Sequence, residues 1–386
     1  MLRRYCDNMP PSASVSPLTA LIAISLILGV SVSAYFIVND EKYDISIAWA
    51  NKDCYEPFWI ADALGFWDDE GVKVQGKIMN NGSECAAAVL SGNADMGGMG
   101  ADPLLRMLRD DRGTSIICRY QTGFSHSEFV ARDNGNNGKL SKDGFGLHYD
   151  SDGKIIDEGA LISYLNEAVR GARVGMQLGT AYWSWFLGFL ENIGLTADDV
   201  VIVPLDFNVQ VAALTNGDVD IISGGSPNTE NALSLGPNNF MIKDPDPTLM
   251  SIFLMASGNA QAAKADSIVK VLNGLQKACD FINDDPEEAA AIIIGVYGRT
   301  WSIENQVNVF QRSIWGIDLV DADIDALGRA AELINGAGKE SKGMLPTGDD
   351  ISGRIADIFL EPSKFPTAKF NEVLDGRIPS IRSWRT

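Results

Sequence analysis

The chain has 386 residues, enough for two α/β lobes with additions. Lys and Arg number 31 against 51 Asp and Glu, a formal charge of −20, so no basic surface is large enough to follow a phosphate backbone and nucleic acid is excluded as a partner. Acidity on this scale keeps a surface soluble but identifies no partner by itself.

Residues 1–17 are polar and Pro-rich, with Arg3 and Arg4 near the start, and residues 18–38 are almost wholly apolar. A helix of about 20 such residues spans a bilayer core. The arginines before it and Asn39, Asp40 and Glu41 after it place the N-terminus in the cytoplasm and the bulk outside. The segment is read as a single-pass transmembrane anchor in the cell membrane, with an extracytoplasmic domain after it. Val32-Ser33-Ala34 is an acceptable cleavage site and keeps a removable signal segment open. Val15-Ser16-Pro17-Leu18-Thr19 is similar to the start of archaeal pilin-like helices, which opens a third reading, a surface filament subunit. Cys6 lacks the small-residue box of a lipoprotein cysteine.

A first lobe begins with the alternating run 44–49, which suits an inner strand. The polar loop 50–57 follows, carrying Asn51, Cys54 and Tyr55. After a helix at 58–64 and a strand at 72–78, Asn80 to Ser83 cap a helix at 84–90 that contains Cys85. Strand 94–97 feeds Gly98, Met99, Gly100 and Asp102. Strand 115–120 ends at a loop with Phe124 and His126. Residues 128–132 cross to a second lobe. Residues 133–160 read as a mobile Gly/Asn-rich loop followed by a hairpin turning at Asp152-Gly153. Asp133, Asn137 and Gly138 faintly match a calcium loop. Gly135 stands at its third position and no Glu at its twelfth, so no metal is assigned.

Residues 171–227 alternate strand, helix, strand, helix, strand, the signature of a parallel sheet wound with helices. The strand 173–176 opens through Gln177, Leu178, Gly179 and Thr180 onto an apolar helix at 182–193. Strand 200–204, helix 209–216 and strand 219–223 follow, ending in Gly224, Gly225, Ser226 and Pro227. Ligands of such sheets lie beyond the carboxyl ends of the strands. The run from Leu90 through Gly92 and Asp95 to Gly98 echoes the run from Leu214 through Gly217 and Asp220 to Ser223, one copy in each half. The return crossing falls at 249–257. A long helix at 260–283 and another beginning at Asp285-Pro286 lead into a helical C-terminal part.

Four motifs in order carry a resemblance: Ala61-Asp62-Ala63-Leu64-Gly65-Phe66-Trp67, Gly92 to Asp95, Gly171 to Gly175, and Ala213 to Asp220. Over about residues 45–365 the chain resembles the type II periplasmic binding proteins of ABC importers, specifically the nitrate/sulfonate/taurine and thiamin-pyrimidine-precursor group. The resemblance implies a two-lobed α/β fold. Lobe I would comprise 43–127 and 255–365, lobe II 128–254 with the insertion 133–160, and 366–386 a tail. It implies delivery of a small organic or oxyanion-type ligand to an ABC permease and its ATPase.

The chemistry agrees with a binder. His126 and His148 are the only histidines, and no HExxH, CxxC, Ser-His-Asp order or phosphate-binding loop occurs, so neither a catalytic set nor a cofactor is assigned. An enzyme on the same scaffold, resembling thiamin-pyrimidine or menaquinone-pathway proteins, stays the alternative. The ligand-binding residues assigned are Asn51, Tyr55, Gly98, Met99, Phe124 and His126 from the first lobe. Thr180, Ala181, Tyr182, Ser226 and Asn228 answer from the second. Cys54 and Cys85 lie on loops at one sheet edge, where an oxidising medium allows a disulfide; two isolated thiols are the alternative.

Overall fold

A computed structural model gives the structure over residues 43–124, 129–151, 153–225, 228–236, 238–246, 249–299, 302–338, 342–356 and 359. The compact unit begins at Asp44. Among the described residues no helix is long and apolar enough to cross a membrane. The apolar run 18–38, the pilin-like start at 15–19 and the tail 366–386 lie outside them.

Two sheets form the core of two lobes. The first has the order β11-β4-β10-β3-β1-β2 and the second β7-β6-β8-β5-β9. In the first, β1 (Ile45–Ala50) lies between β2 (Val74–Met79) and β3 (Met96–Met99), parallel to both. Ile45, Ile47, Ala48, Trp49 and Ala50 are all buried, as expected for a parallel strand covered by helices on both faces. Gly76 on β2 makes room for the indole of Trp49: a Cβ there would stand 2.4 Å from the ring. In the second sheet β6 (Arg173–Met176) is parallel to β7 (Val201–Pro204) and β8 (Ile221–Ser223).

Helices of at least eight residues follow most of these strands. They are α1 (Glu56–Ala63), α2 (Gly82–Leu90), α3 (Ala101–Asp110), α4 (Glu158–Val169), α5 (Ala181–Asn192), α6 (Phe207–Asn216) and α7 (Asn228–Leu235). The C-terminal part adds α8 (Ala265–Asp284), α9 (Pro286–Tyr297), α10 (Ile303–Gln311) and α11 (Asp321–Gly336).

The antiparallel strands depart from the sequence reading. β4 (Ser115–Phe124) does not stop at residue 120, because Gln121 to Phe124 pair with β10 (Leu249–Ala256), and Gln121 to Gly123 also with β11 (Ser313–Asp318). β10 lies wholly in the first sheet, so the chain returns between Ile242 and Leu249, ahead of 249–257. β5 (Phe129–Arg132) pairs with β8 and with β9 (Asn239–Ile242).

Residues 133–156 are pinned rather than loose. Asn134, Asn136 and Asn137 take left-handed backbone, which Asn tolerates better than most residues. Asn136 is buried, and its Nδ2 donates to the carbonyls of Ala168 and Arg170 at 2.8 and 3.0 Å, at the end of α4. Asp133 accepts the Lys142 amide at 2.8 Å and Ser141 caps the short turn Lys142–Gly146. Phe145 then packs on Phe240 of β9 at 5.6 Å between centroids. The expected hairpin forms as a short one: Tyr149 and Ile155 make an antiparallel bridge, the Asp150 amide donates to the Lys154 carbonyl and the Ile156 amide to the His148 carbonyl, both at 2.9 Å.

The echoed aspartates do the same work in each lobe. Asp95 Oδ2 accepts the amide and hydroxyl of Ser46, both at 2.8 Å, and pairs with Lys264 at 2.8 Å. Asp220 accepts the Arg173 amide at 2.9 Å and its guanidinium at 3.0 and 2.8 Å. Burial alone would raise both carboxyls; the donors outweigh it, and each is held below the usual carboxylate range. A depressed carboxyl stabilises the fold above its unfolded value, near 3.9, and loses that contribution as pH falls through its lower native value. Asp220→Ala is therefore expected to cost about 2–3 kcal/mol at neutral pH. The gap from wild type should shrink towards about pH 2. Urea unfolding at both pH values measures this, and an undiminished gap in acid would rule out a charge-dependent tie.

Candidate functional site

A cavity of about 70 Å3 lies between the lobes at the carboxyl ends of the parallel strands. Five helix starts meet on it. The turn Asp53–Tyr55 leads into α1, Asn81 and Gly82 open α2, and Gly100 and Pro103 belong to the first turn of α3. Thr180, Ala181 and Tyr182 open α5, and Phe207 opens α6. Helix starts carry N–H groups with no acceptor inside the helix and a partial positive charge. Such ends, brought together, suit an oxyanion electrostatically.

The two lobes touch around this space. A Cβ on Gly100 would lie 2.6 Å from that of Ala181, so only glycine permits the approach. Ser83 Oγ donates to the Gly179 carbonyl. The Lys52 ammonium stands 4.1 Å above the Phe207 ring, a cation–π contact. Arg312 Nη1 pairs with Glu230 of α7 at 2.8 Å.

Arg312 closes the wall with Ser313, Val309 and Gln121, whose Nε2 donates to Ser313 Oγ at 2.7 Å. Its Nε–H is buried and has no acceptor among the described residues. The α9–α10 segment brings Arg312 here because Arg299 and Gln306 both donate to the buried Glu56 of α1 at 2.8 Å. Lack of water pushes the Glu56 carboxyl up to about 8, with Arg299 opposing. Burial, then the Glu230 charge, push the Asp53 carboxyl up, while Arg299 and Lys52 pull it back. Positive Lys52 and Arg312 and acidic Asp53 thus share a tight space with the rings of Tyr55, Tyr182, Trp185 and Phe207.

Of the residues assigned from sequence, Tyr55, Thr180, Ala181 and Tyr182 line the cavity. The Thr180 hydroxyl donates to the Gln177 carbonyl at 2.8 Å, which ties the loop and spends the proton assigned to a ligand. Asn51 is exposed and off the cavity, because the chain turns inward only at Lys52. Gly98 and Met99 lie one layer below: the Gly98 carbonyl accepts the Tyr55 hydroxyl at 3.1 Å, and Gly100 takes the lining position. Asn228 is buried and donates to the Phe207 carbonyl at 2.6 Å, holding the start of α6 from behind. Phe124 ends β4; His126 and Ser226 lie outside the described residues. Lys52, Asp53, Gln121, Phe207 and Arg312 were missing from the assignment. Lys52 and Asp53 carried a signal, being charged residues in a strand-end loop. Arg312, remote in sequence at the end of an ordinary helix, carried none.

The disulfide is absent. Cys54 and Cys85 are free thiols, because Cys54 faces the cavity whereas Cys85 is buried in the core against the Tyr55 hydroxyl. Burial pushes the Cys85 thiol up to about 12 and the Cys54 thiol well above its ordinary value.

In comparisons with known proteins, residues 166–289 match the family model described as NMT1/THI5 like. The alkanesulfonate-binding protein SsuA from Xanthomonas axonopodis pv. citri, bound to MOPS, superposes with a TM-score of 0.64 at 15% identity over 81% of this chain and 97% of that one. The fold is that of a type II periplasmic binding protein. The periplasmic aliphatic sulphonate binding protein SsuA from Escherichia coli has the same fold (TM-score 0.62, 16% identity, 81% and 91% covered). So has a ligand-binding component of an ABC-type import system from Staphylococcus aureus with zinc bound (TM-score 0.60, 11% identity, 79% and 94%). No curated protein matches the sequence. Among the described residues of this periplasmic-binding-protein fold, no three His, Cys, Asp or Glu side chains are grouped to hold a metal.

Two outcomes follow from this geometry. Gly100→Ala is expected to leave each lobe folded but hold the lobes apart, giving unchanged far-UV circular dichroism and a larger radius of gyration in small-angle X-ray scattering. A radius equal to wild type would show that the contact gives way without opening. Alkylation of protein unfolded without reductant should modify both Cys54 and Cys85, as peptide mass spectrometry can check; an unmodified linked pair would contradict the thiol geometry.

Proposed function

We propose that this chain is an extracytoplasmic solute-binding protein that captures a small organic ligand bearing one oxyanion group and presents it to an ABC permease and its ATPase. Residues 18–38 serve as its single-pass membrane anchor. The observation that carries the reading is Arg312: a guanidinium on the closed cavity with a buried, unsatisfied Nε–H, opposite five convergent helix starts. A sulfonate or carboxylate in the cavity would be held by charge-assisted bonds to that guanidinium. The aromatic rings of Tyr182, Trp185 and Phe207 cover its carbon part. Because both lobes contribute to the cavity, a bound ligand favours the closed form, and the permease reads that change of shape.

Among the described residues at the cavity none favours the enzyme alternative. Its thiol, Cys54, is pushed up by burial and by the Asp53 charge, away from the nucleophilic thiolate form. His148 packs on Tyr164 at 5.2 Å between ring centroids, within the insertion.

Isothermal titration calorimetry with methanesulfonate, ethanesulfonate and acetate tests the reading. Wild type should bind at least one of them. Arg312→Gln should weaken that binding by about tenfold to a hundredfold, the worth of a hydrogen bond to a charged group. Tyr182→Ala should weaken it less, through lost contact area. Equal affinity in wild type and both variants would place the site elsewhere.

A further inference from the structure

Behind the cleft, where the lobes are hinged, lies a second and larger cavity of about 340 Å3. Its walls come from both lobes: Ser184 and Trp185 of α5 on one side, and the start of β10 with one face of α11 on the other. Trp185 and Met250 line both cavities and form the partition between them.

The interior of this space is apolar in effect. Ser184 donates to the Ala181 carbonyl at 3.0 Å. Ser251 donates to Asp323 at 2.5 Å, and Asp323 also accepts the Val320 amide at 3.0 Å and faces Arg119 at 3.3 Å. Ser184, Ser251 and Asp323 are thus already engaged, Asp325 lies at the exposed edge of α11, and Leu249, Phe253, Leu327, Ala330 and Leu333 supply the apolar surface. Arg329 lies at the exposed edge of α11, paired with Glu191 and Glu332. Such a space rewards an uncharged, flexible apolar group and gives a polar one no partner.

We propose that the hinge cavity is the tail compartment of the cleft site. On this view the ligand is an amphiphilic acid whose head sits at Arg312 and the helix starts, and whose apolar chain passes Trp185 and Met250 into the space under α11. The inference rests on the oxyanion reading of the cleft and adds the chain. The cleft cavity, about 70 Å3, holds a head and little more, so a longer chain must leave it, and the partition shared with the hinge cavity is its way out.

Calorimetry on the full chain with ethanesulfonate and octane-1-sulfonate, and with acetate and octanoate, is the experiment. Each methylene moved from water into the cavity is worth roughly a fourfold gain in affinity. The octyl compounds should therefore bind at least about tenfold more tightly than their two-carbon counterparts. Ala326→Phe, which fills the hinge cavity from α11, should bring that ratio close to one. A crystal with 8-bromooctane-1-sulfonate should place bromine between α5 and α11, a readout independent of whether the variant folds. Equal affinities for long and short chains, or bromine elsewhere, would overturn the tail compartment and leave the cleft reading standing. An equal gain from 1-octanol alone would also overturn it, making the cavity a separate site. If no sulfonate or carboxylate binds at either length, the cleft reading itself falls, and the tail with it.

Discussion

One carboxylate in each lobe ties the start of a parallel strand to the start of its neighbour: Asp95 to the Ser46 amide, Asp220 to the Arg173 amide. Parallel strands joined by helices have no tight hairpin to fix their register. A side chain that bonds the next strand's first amide supplies what a hairpin would. With the strand starts aligned, the strand ends are aligned too. The helices that follow then begin at one level, and their positive ends converge on one space instead of being scattered along the sheet. The convergence of helix starts on the cleft depends on these two bonds, although both lie at the far end of the sheet from it.

The same aspartates were the clearest feature of the sequence, since a Gly turn followed three residues later by Asp, just before a buried strand, occurs once in each half. Two lobes, a cleft between them and a cavity-lining stretch at 180–182 were legible for that reason. The lining was less legible because it depends on where individual side chains turn. Gly98 and Met99 sit one or two residues short of the true lining position, Gly100. Asn51 precedes the inward turn by one. Cys54 and Cys85 share a sheet edge but face different volumes. The Asn-rich run from Asn134 read as a loose loop because composition does not reveal that Asn136 reaches the carbonyls at the end of α4. Arg312 could not have been found, because its place depends on how α9 and α10 fold back over α1.

Apolar packing of α5 on α3 and α11 joins the lobes, as where Leu333 lies against Gly188, and a few polar contacts cross the cleft beside it. The Arg312–Glu230 pair is partly exposed, and such pairs are worth little on their own. The Lys52–Phe207 contact is of similar scale. An equilibrium set close to balance is the one a ligand of modest affinity can shift, since a ligand moves it only by the difference in its binding to the two forms.

The insertion has a consequence for the protein in crowded company. A sheet's outer strand presents unpaired amides and carbonyls that recruit strands from other molecules, the first step of linear polymerisation. In the second lobe one outer strand, β9, lies under the turn that carries Phe145. The other, β7, ends on Pro204, whose ring nitrogen has no hydrogen to offer a visiting strand. Joined to a net charge of −20, these features work against edge-to-edge pairing of the second lobe's sheet with that of another copy.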